Sequence, residues 1–220
     1  MEFREILSRC DHTLLRQDCT VAEIIQLCDE GIRFGTASVC IPPCHVAGAK
    51  NYVREAGSDL KICTVIGFPN GYSTPRVKAF EASDAIKNGA DEIDMVINLA
   101  MVKDACWESL LDEIKTVRAF TEGHILKVII ETCLLTEEEK RMLCSIVSAS
   151  GADYIKTSTG FSTGGATVEA VETLKRFSQG MQVKASGGIR TLAEAEAMLK
   201  AGADRIGASA GVEIIRELEV

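Results

Sequence analysis

One turn recurs three times in this chain, and it constrains the fold more than any other feature. Gly89-Ala90-Asp91-Glu92-Ile93, Gly151-Ala152-Asp153-Tyr154-Ile155 and Gly202-Ala203-Asp204-Arg205-Ile206 each close a helical pattern and open an apolar run. Glycine at such a stop takes the left-handed C′ position, and a strand begins two or three residues later. Glu30-Gly31-Ile32 reads as a looser copy of the same stop. Helix starts repeat as well. Thr20-Val21-Ala22-Glu23, Thr136-Glu137-Glu138-Glu139 and Thr191-Leu192-Ala193-Glu194 have the form of capping boxes, and Thr74-Pro75 supplies an N-cap with proline behind it.

Between these signals lie eight β-rich runs, at 8–14, 36–41, 62–68, 92–98, 126–131, 154–159, 183–185 and 205–208. Their centres are roughly 28 residues apart, enough for one strand, one helix and two short connections. Eight strand–helix units predict parallel strands closed into a (β/α)₈ TIM barrel, an α/β fold. The competing doubly wound sheet needs fewer strands and a glycine-rich turn after the first. Here the first run is followed by Leu15-Arg16-Gln17-Asp18. No linker or shift in composition divides the chain, so residues 1–220 read as one catalytic domain.

Composition narrows the function. With 46% apolar residues, a chain of 220 has ample material for a core. Lys and Arg number 24 against 32 Asp and Glu, a net charge of −8 without any block of like charge. That surface argues against nucleic acid and membranes as partners. No apolar run approaches the ~18 residues of a membrane span. The acidic start Met1-Glu2-Phe3-Arg4-Glu5 is unlike a signal peptide, so the expected location is the cytoplasm. Nine cysteines lie mostly inside apolar runs, where a reduced thiol behaves as a small core residue. Cys40-Ile41-Pro42-Pro43-Cys44-His45 has zinc-type ligands but lacks a fourth, so zinc is the weaker reading there.

Charged residues interrupt the apolar runs. They are Asp11 in the first, Asp94 in the fourth, Lys127 in the fifth, Lys156 in the sixth and Lys184 in the seventh. A buried network that only fixes the fold would pair charges evenly. Three lysines against two carboxylates leave positive charge over, which favours function. An unshifted lysine is only about 0.04% neutral at pH 7, and lowering its pKa to 7 takes roughly 4.6 kcal/mol. A neighbouring ammonium and desolvation supply shifts of that size. The pattern therefore points to a lysine that attacks a carbonyl, with Asp94 moving protons.

Two loops suggest a phosphate site. Ser186-Gly187-Gly188-Ile189-Arg190 follows the seventh run, and Gly207-Ala208-Ser209-Ala210-Gly211 follows the eighth and opens an expected helix over 212–218. Loops seven and eight with a helix N-terminus form the usual phosphate cradle of such barrels. The sixth loop, from Gly160 to Thr167, is rich in glycine and hydroxyls and is placed to close over the same anion, or to be plain flexible loop.

Several of these segments together resemble the deoxyribose-phosphate aldolase family. They are Tyr154-Ile155-Lys156-Thr157-Ser158-Thr159-Gly160-Phe161, Val183-Lys184-Ala185-Ser186-Gly187-Gly188-Ile189-Arg190 and Asp91-Glu92-Ile93-Asp94-Met95-Val96-Ile97-Asn98. Asp11-His12-Thr13-Leu14-Leu15, Val39-Cys40-Ile41-Pro42, Ile66-Gly67-Phe68-Pro69 and Lys127-Val128-Ile129-Ile130-Glu131-Thr132 fit the same order. The resemblance implies a class I aldolase splitting 2-deoxy-D-ribose 5-phosphate into acetaldehyde and D-glyceraldehyde 3-phosphate. It puts the Schiff-base lysine at Lys156, the pKa-lowering lysine at Lys184 and the proton relay at Asp94. It adds supporting roles for Asp11, Thr13, Cys40 and Lys127, and phosphate contacts at Gly160, Gly187, Gly188, Gly207 and Ser209. It also implies no metal or organic cofactor, and a homodimer or larger homo-oligomer.

The chain departs from the family's pattern at Ser162, Ala210 and the stretch Asn70-Gly71-Tyr72-Ser73. It also ends Glu217-Leu218-Glu219-Val220, without the terminal tyrosine that longer members use in proton transfer. Two alternatives stay open: another lysine-dependent phosphosugar aldolase, and a silent phosphosugar-binding barrel. The second has no need of adjacent buried lysines.

Overall fold

The computed structural model describes residues 3–208. Ser209, Ala210 and the expected helix over 212–218 lie outside the described residues. Eight strands follow in chain order: β1 (Cys10–Thr13), β2 (Ser38–Ile41), β3 (Lys61–Ile66), β4 (Glu92–Val96), β5 (Ile125–Ile129), β6 (Tyr154–Lys156), β7 (Gln182–Ser186) and β8 (Arg205–Ala208). They form a closed barrel in which every neighbour is parallel, and β8 returns to β1. The doubly wound alternative is excluded. Helices α2 (Val21–Phe34), α3 (Val46–Glu55), α4 (Pro75–Lys87), α6 (Trp107–Arg118), α7 (Glu137–Ala149), α8 (Val168–Phe177) and α9 (Leu192–Lys200) connect the strands. Two short helices, α1 (Phe3–Leu7) and α5 (Leu99–Lys103), were not foreseen; the first buries Ile6 and Leu7.

All three capping boxes form, with Thr20, Thr136 and Thr191 accepting from the N–H groups of Glu23, Glu139 and Glu194. The repeated turn also does what its sequence implies. Gly89, Gly151 and Gly202 have φ of 104°, 78° and 108°. The aspartate of each copy then accepts from the backbone at the start of the preceding strand. Asp91 takes the Ile62 N–H at 2.8 Å, Asp153 that of Leu126 at 2.8 Å, and Asp204 that of Val183 at 2.8 Å. Each also holds a cation from the helix outside, namely Lys50, Arg118 and Lys175. One motif thus stitches helix, turn and strand at three places.

The looser copy at Gly31 is not a stop. Gly31 lies inside α2, which ends at Gly35 with φ 66°. A Cβ on Gly31 would come within 2.9 Å of Leu60 and 3.0 Å of Val39, so glycine there permits close packing against the sheet. The sequence runs also extend past the regular ladders of β3 to β6; after β3 and β5 the chain leaves the strand at Gly67 and Glu131, with φ of 58° and 54°.

Most of the core lies between strands and helices. Inside the barrel the apolar filling is small, with Cys40, Cys63 and Val65 packed against Leu15 and Phe68. Charged side chains take up the rest of the lumen, where other barrels stack aliphatic layers. All nine cysteines are free, and Cys44 is exposed while Cys40 is buried. Among the described residues, the groups within ligand distance are Cys40, Cys63 and Asp94, and Asp11, Cys63 and Glu92. Neither contains Cys44 or His45, so the zinc reading of that segment fails.

Candidate active site

Strand alternation points Asp11, Asp94, Lys127, Lys156 and Lys184 into the barrel, and all five are at most 3% exposed. The structure brings them to one place. Asp94 is the hub: one carboxylate oxygen accepts from Lys156 and from Lys184, each at 2.7 Å. The two ammonium groups therefore lie within twice that distance of each other. The other oxygen accepts from Lys127 at 2.8 Å and from the Cys63 thiol at 3.2 Å.

Two charges missing from the sequence reading complete the cluster. Glu92 lies 2.5 Å from Lys127. Arg205 donates to both Glu92 oxygens, at 2.6 and 2.7 Å, and to Asp11 at 2.7 Å. Asp11 also accepts from Ser38 at 2.7 Å and pairs closely with Lys184. The contacts close a ring of alternating sign, running Asp94, Lys184, Asp11, Arg205, Glu92, Lys127 and back to Asp94. Three carboxylates and three cations make the ring neutral. Lys156 is the cation outside it, joined only through Asp94 among the ion pairs described.

The electrostatics follow from this arrangement. Burial alone would raise the Asp94 carboxyl, but Lys127, Lys156 and Lys184 outweigh it and hold the group well below the usual carboxylate range. Asp11 is likewise held down against burial by Lys184, Lys127 and Arg205. Burial would lower Lys127 and Lys184, yet the carboxylates around them keep both above their ordinary values. Both stay charged at neutral pH.

Lys156 forms part of the wall of a cleft of about 410 Å³ at the C-terminal mouth, together with Thr13, Gly160, Gly187, Gly188 and Gly207. Thr13 donates to the Asp11 carbonyl at 2.8 Å. Cys40 is buried beside the lumen, and its neighbour Cys63 pulls its thiol below the ordinary value. Gly187 and Gly188 both have φ of 82°, which opens their backbone toward the cleft. Ser209 lies outside the described residues.

The sixth loop is docked, which removes the plain-loop reading. The Ala166 N–H donates to the carbonyls of Ser186 and Gly187, both at 3.0 Å. A Cβ on Gly165 would stand 2.1 Å from the Gly187 oxygen, so only glycine allows that contact. Glu131, buried and at φ 54°, holds the loop's base by accepting from the Thr159 hydroxyl at 2.5 Å. Ser162 meets Cys133 at 3.5 Å, and Asn70 donates to Tyr72 at 2.8 Å on the rim. Both departures thus line the entrance and leave the lumen unchanged.

Glu92 and Arg205 had a signal in the sequence. Each fills the variable place after Gly-Ala-Asp, and the third such residue, Tyr154, lies under the Arg205 guanidinium at 6.0 Å. The repeated turn therefore delivers three side chains to one layer of the lumen.

Comparison with known proteins bears on the family. Residues 6–217 match the family described as DeoC/LacD family aldolase. The chain is 51% identical over 221 residues to a deoxyribose-phosphate aldolase of Streptococcus agalactiae, covering 100% of this chain and 98% of that protein. It is similar to the solved structure of an aldolase designated QR15, with TM-score 0.92 and 39% identity over 97% of this chain and 96% of that one. A tetrameric deoxyribose phosphate aldolase from Aeropyrum pernix superposes with TM-score 0.89 and 32% identity, over 98% and 92%. This chain belongs to the DeoC/LacD family of aldolases.

Proposed function

We propose that this chain is a class I aldolase, a lyase that reversibly cleaves 2-deoxy-D-ribose 5-phosphate to acetaldehyde and D-glyceraldehyde 3-phosphate. The observation that carries the reading is Lys156, the cation left over from a neutral ring, set in the wall of a cleft that Gly160, Gly187, Gly188 and Gly207 also line. With Lys156 protonated the lumen holds four cations against three carboxylates; with Lys156 neutral the charges match. The unmatched cation, and not a member of the ring, is thus the one that faces the cleft.

Lys156 Nζ attacks the C1 carbonyl, and water leaves to give an iminium. Loss of the C3 hydroxyl proton breaks the C2–C3 bond, and the electron pair moves into the iminium as an enamine. C2 then takes a proton, and water releases acetaldehyde. Lys184 puts a second ammonium on the Asp94 oxygen that Lys156 uses, and Asp94, bonded to both, relays protons between them. Asp11 and Lys127 hold these groups in place, and Thr13 and Cys40 line the reacting end. Gly160, Gly187, Gly188, Gly207 and Ser209 receive the phosphate. No metal is needed: the two candidate ligand groups are already filled by lysine and arginine cations.

The whole chain acts as one domain in the cytoplasm, with small molecules as its substrates. No helix among the described residues is long and apolar enough to cross a membrane. Exposed Phe80 and Val77 on α4 support assembly into a homo-oligomer. The test of the function is incubation with acetaldehyde and borohydride, followed by mass mapping. A two-carbon adduct on Lys156 is expected. Adducts spread over surface lysines, or none, would overturn the proposal, as would loss of turnover on adding EDTA.

A further inference from the structure

Arg205 has no contact with the cleft, yet it closes the charge ring on the side away from Lys156. Its Nε bonds Asp11 and its Nη2 bonds both oxygens of Glu92. Without it, Asp11 and Glu92 would each lose a cation, and Lys184 and Lys127 would be drawn more strongly toward them. We propose that Arg205, opposed by Glu92, is a positioning residue that sets the protonation of Lys156 through the ring. The proposal rests on the reading of Lys156 as the nucleophile.

Three carboxylates, Asp11, Glu92 and Asp94, face four cations, Lys127, Lys156, Lys184 and Arg205. The remaining titratable groups turned to this space are Cys63 on β3 and Tyr154 on β6, both held up by burial, and Cys40 on β2, which Cys63 holds below its ordinary value; Arg16 and Arg190 line the cleft that Lys156 faces. Lys156, joined to the ring only through Asp94 among the ion pairs described, is the cation at the open end of this charge system. Arg205 also carries the fourth positive charge to a place where it cannot react. Guanidinium is suited to that task, since it does not deprotonate and forks between two carboxylates.

Opposite signs follow for its two neighbours in the ring. Arg205→Met removes a positive charge, stabilises the Lys156 ammonium and raises its pKa. Glu92→Gln removes a negative charge and lowers it. At an effective dielectric of about 20, a charge removed from the ring gives a shift on the order of one pH unit. Arg205→Lys keeps the charge and should leave the pKa near its original value.

The experiment measures the rate at which Lys156 is alkylated by acetaldehyde with cyanoborohydride, read by mass mapping across pH 5 to 10 on the whole protein. The expected midpoint rises by about one unit in Arg205→Met and falls by about the same in Glu92→Gln. It returns to the original in Arg205→Met/Glu92→Gln and in Arg205→Lys. Midpoints that stay fixed while thermal stability drops, or that move in the same direction in both single variants, would show a merely structural role. If Arg205→Met does not fold, Glu92→Gln and the double variant decide by the same criterion. Absence of any Lys156 adduct in the unaltered protein would sink the aldolase reading along with this one. An adduct with unmoved midpoints sinks this proposal alone.

Discussion

Lys78 and Glu113, packed between α4 and α6, form a second buried ion system, and it differs from the ring inside the barrel in one respect. Both residues are fully buried and meet at 2.8 Å. Their remaining hydrogen-bonding capacity goes to backbone: Lys78 donates to the Val96 carbonyl at 2.8 Å, and Glu113 accepts from the Asn98 N–H at 2.9 Å. One cation meets one anion, and the C-terminal end of β4 is fastened to the helices. In the lumen three carboxylates meet four cations, and the fourth faces an open cleft. Burial of charge is common to both, so it does not mark function by itself. What separates them is the unmatched cation with access to a ligand.

The contrast is broken most severely by removing the lysines of the lumen. Lys156→Leu leaves no amine to form an imine, and kcat should fall by roughly 10⁴-fold or more at every pH. Lys184→Leu leaves the nucleophile but removes a nearby positive charge, which favours the ammonium form at that site. Activity near neutrality should then fall steeply and partly return as pH rises. The acidic limb of kcat/KM should move up by one unit or more. Identical pH profiles for the two variants, or loss of borohydride trapping at pH 9 in Lys184→Leu, would mean that the roles are shared or exchanged.

The second test breaks the other system. Lys78→Met leaves Glu113 buried without its partner and should cost about 3–5 kcal/mol of stability. Lys78→Met/Glu113→Leu removes both charges and should recover most of that loss. Neither should move the acidic limb of the rate profile, because the pair is already matched. Thermal melts with pH profiles on the same samples would decide. A moved limb in the double variant would show that the helix pair does feed charge into the lumen, and the distinction drawn above would fall.

Legibility in the sequence divides along physical lines. Strands and helix starts were readable because each depends on a local pattern: an apolar run, a threonine three residues before glutamate, or a glycine before Ala-Asp. Lys127, Lys156 and Lys184 stood out because each interrupts such a run. Glu92 and Arg205 interrupt no run: they occupy the first residue of a strand, where charge is ordinary, and their local mark is the Gly-Ala-Asp before them. Their meaning depends on closure of the barrel. Arg205 reaches Asp11 across a sequence separation of 194 residues, and only the pairing of β8 with β1 brings them together. Lys78 and Glu113 were hidden for a similar reason. They sit in helices whose charged positions look solvent-facing until the α4–α6 packing is known. Gly31 misled because a local rule for helix stops cannot see the close approach of Leu60.

The smallest effect concerns the mouth, where the ring's charge gives way to backbone. Gly188 has φ 82° and open space where a Cβ would stand, so a side chain there projects without a clash. Asparagine and aspartate tolerate positive φ about equally, which cancels the backbone cost between them. Gly188→Asp places a carboxylate beside the proposed phosphate site, whereas Gly188→Asn places a neutral group of the same shape. For the phosphorylated sugar, KM should be about tenfold higher in the aspartate variant than in the asparagine variant, with kcat little changed. Unphosphorylated 2-deoxyribose has no anion to repel, so the two variants should treat it alike. A tenfold difference for both substrates would mean that the carboxylate acts on the lumen charges instead. Its effect would then appear as a shifted acidic limb, and loop seven would belong with the ring and not with the phosphate.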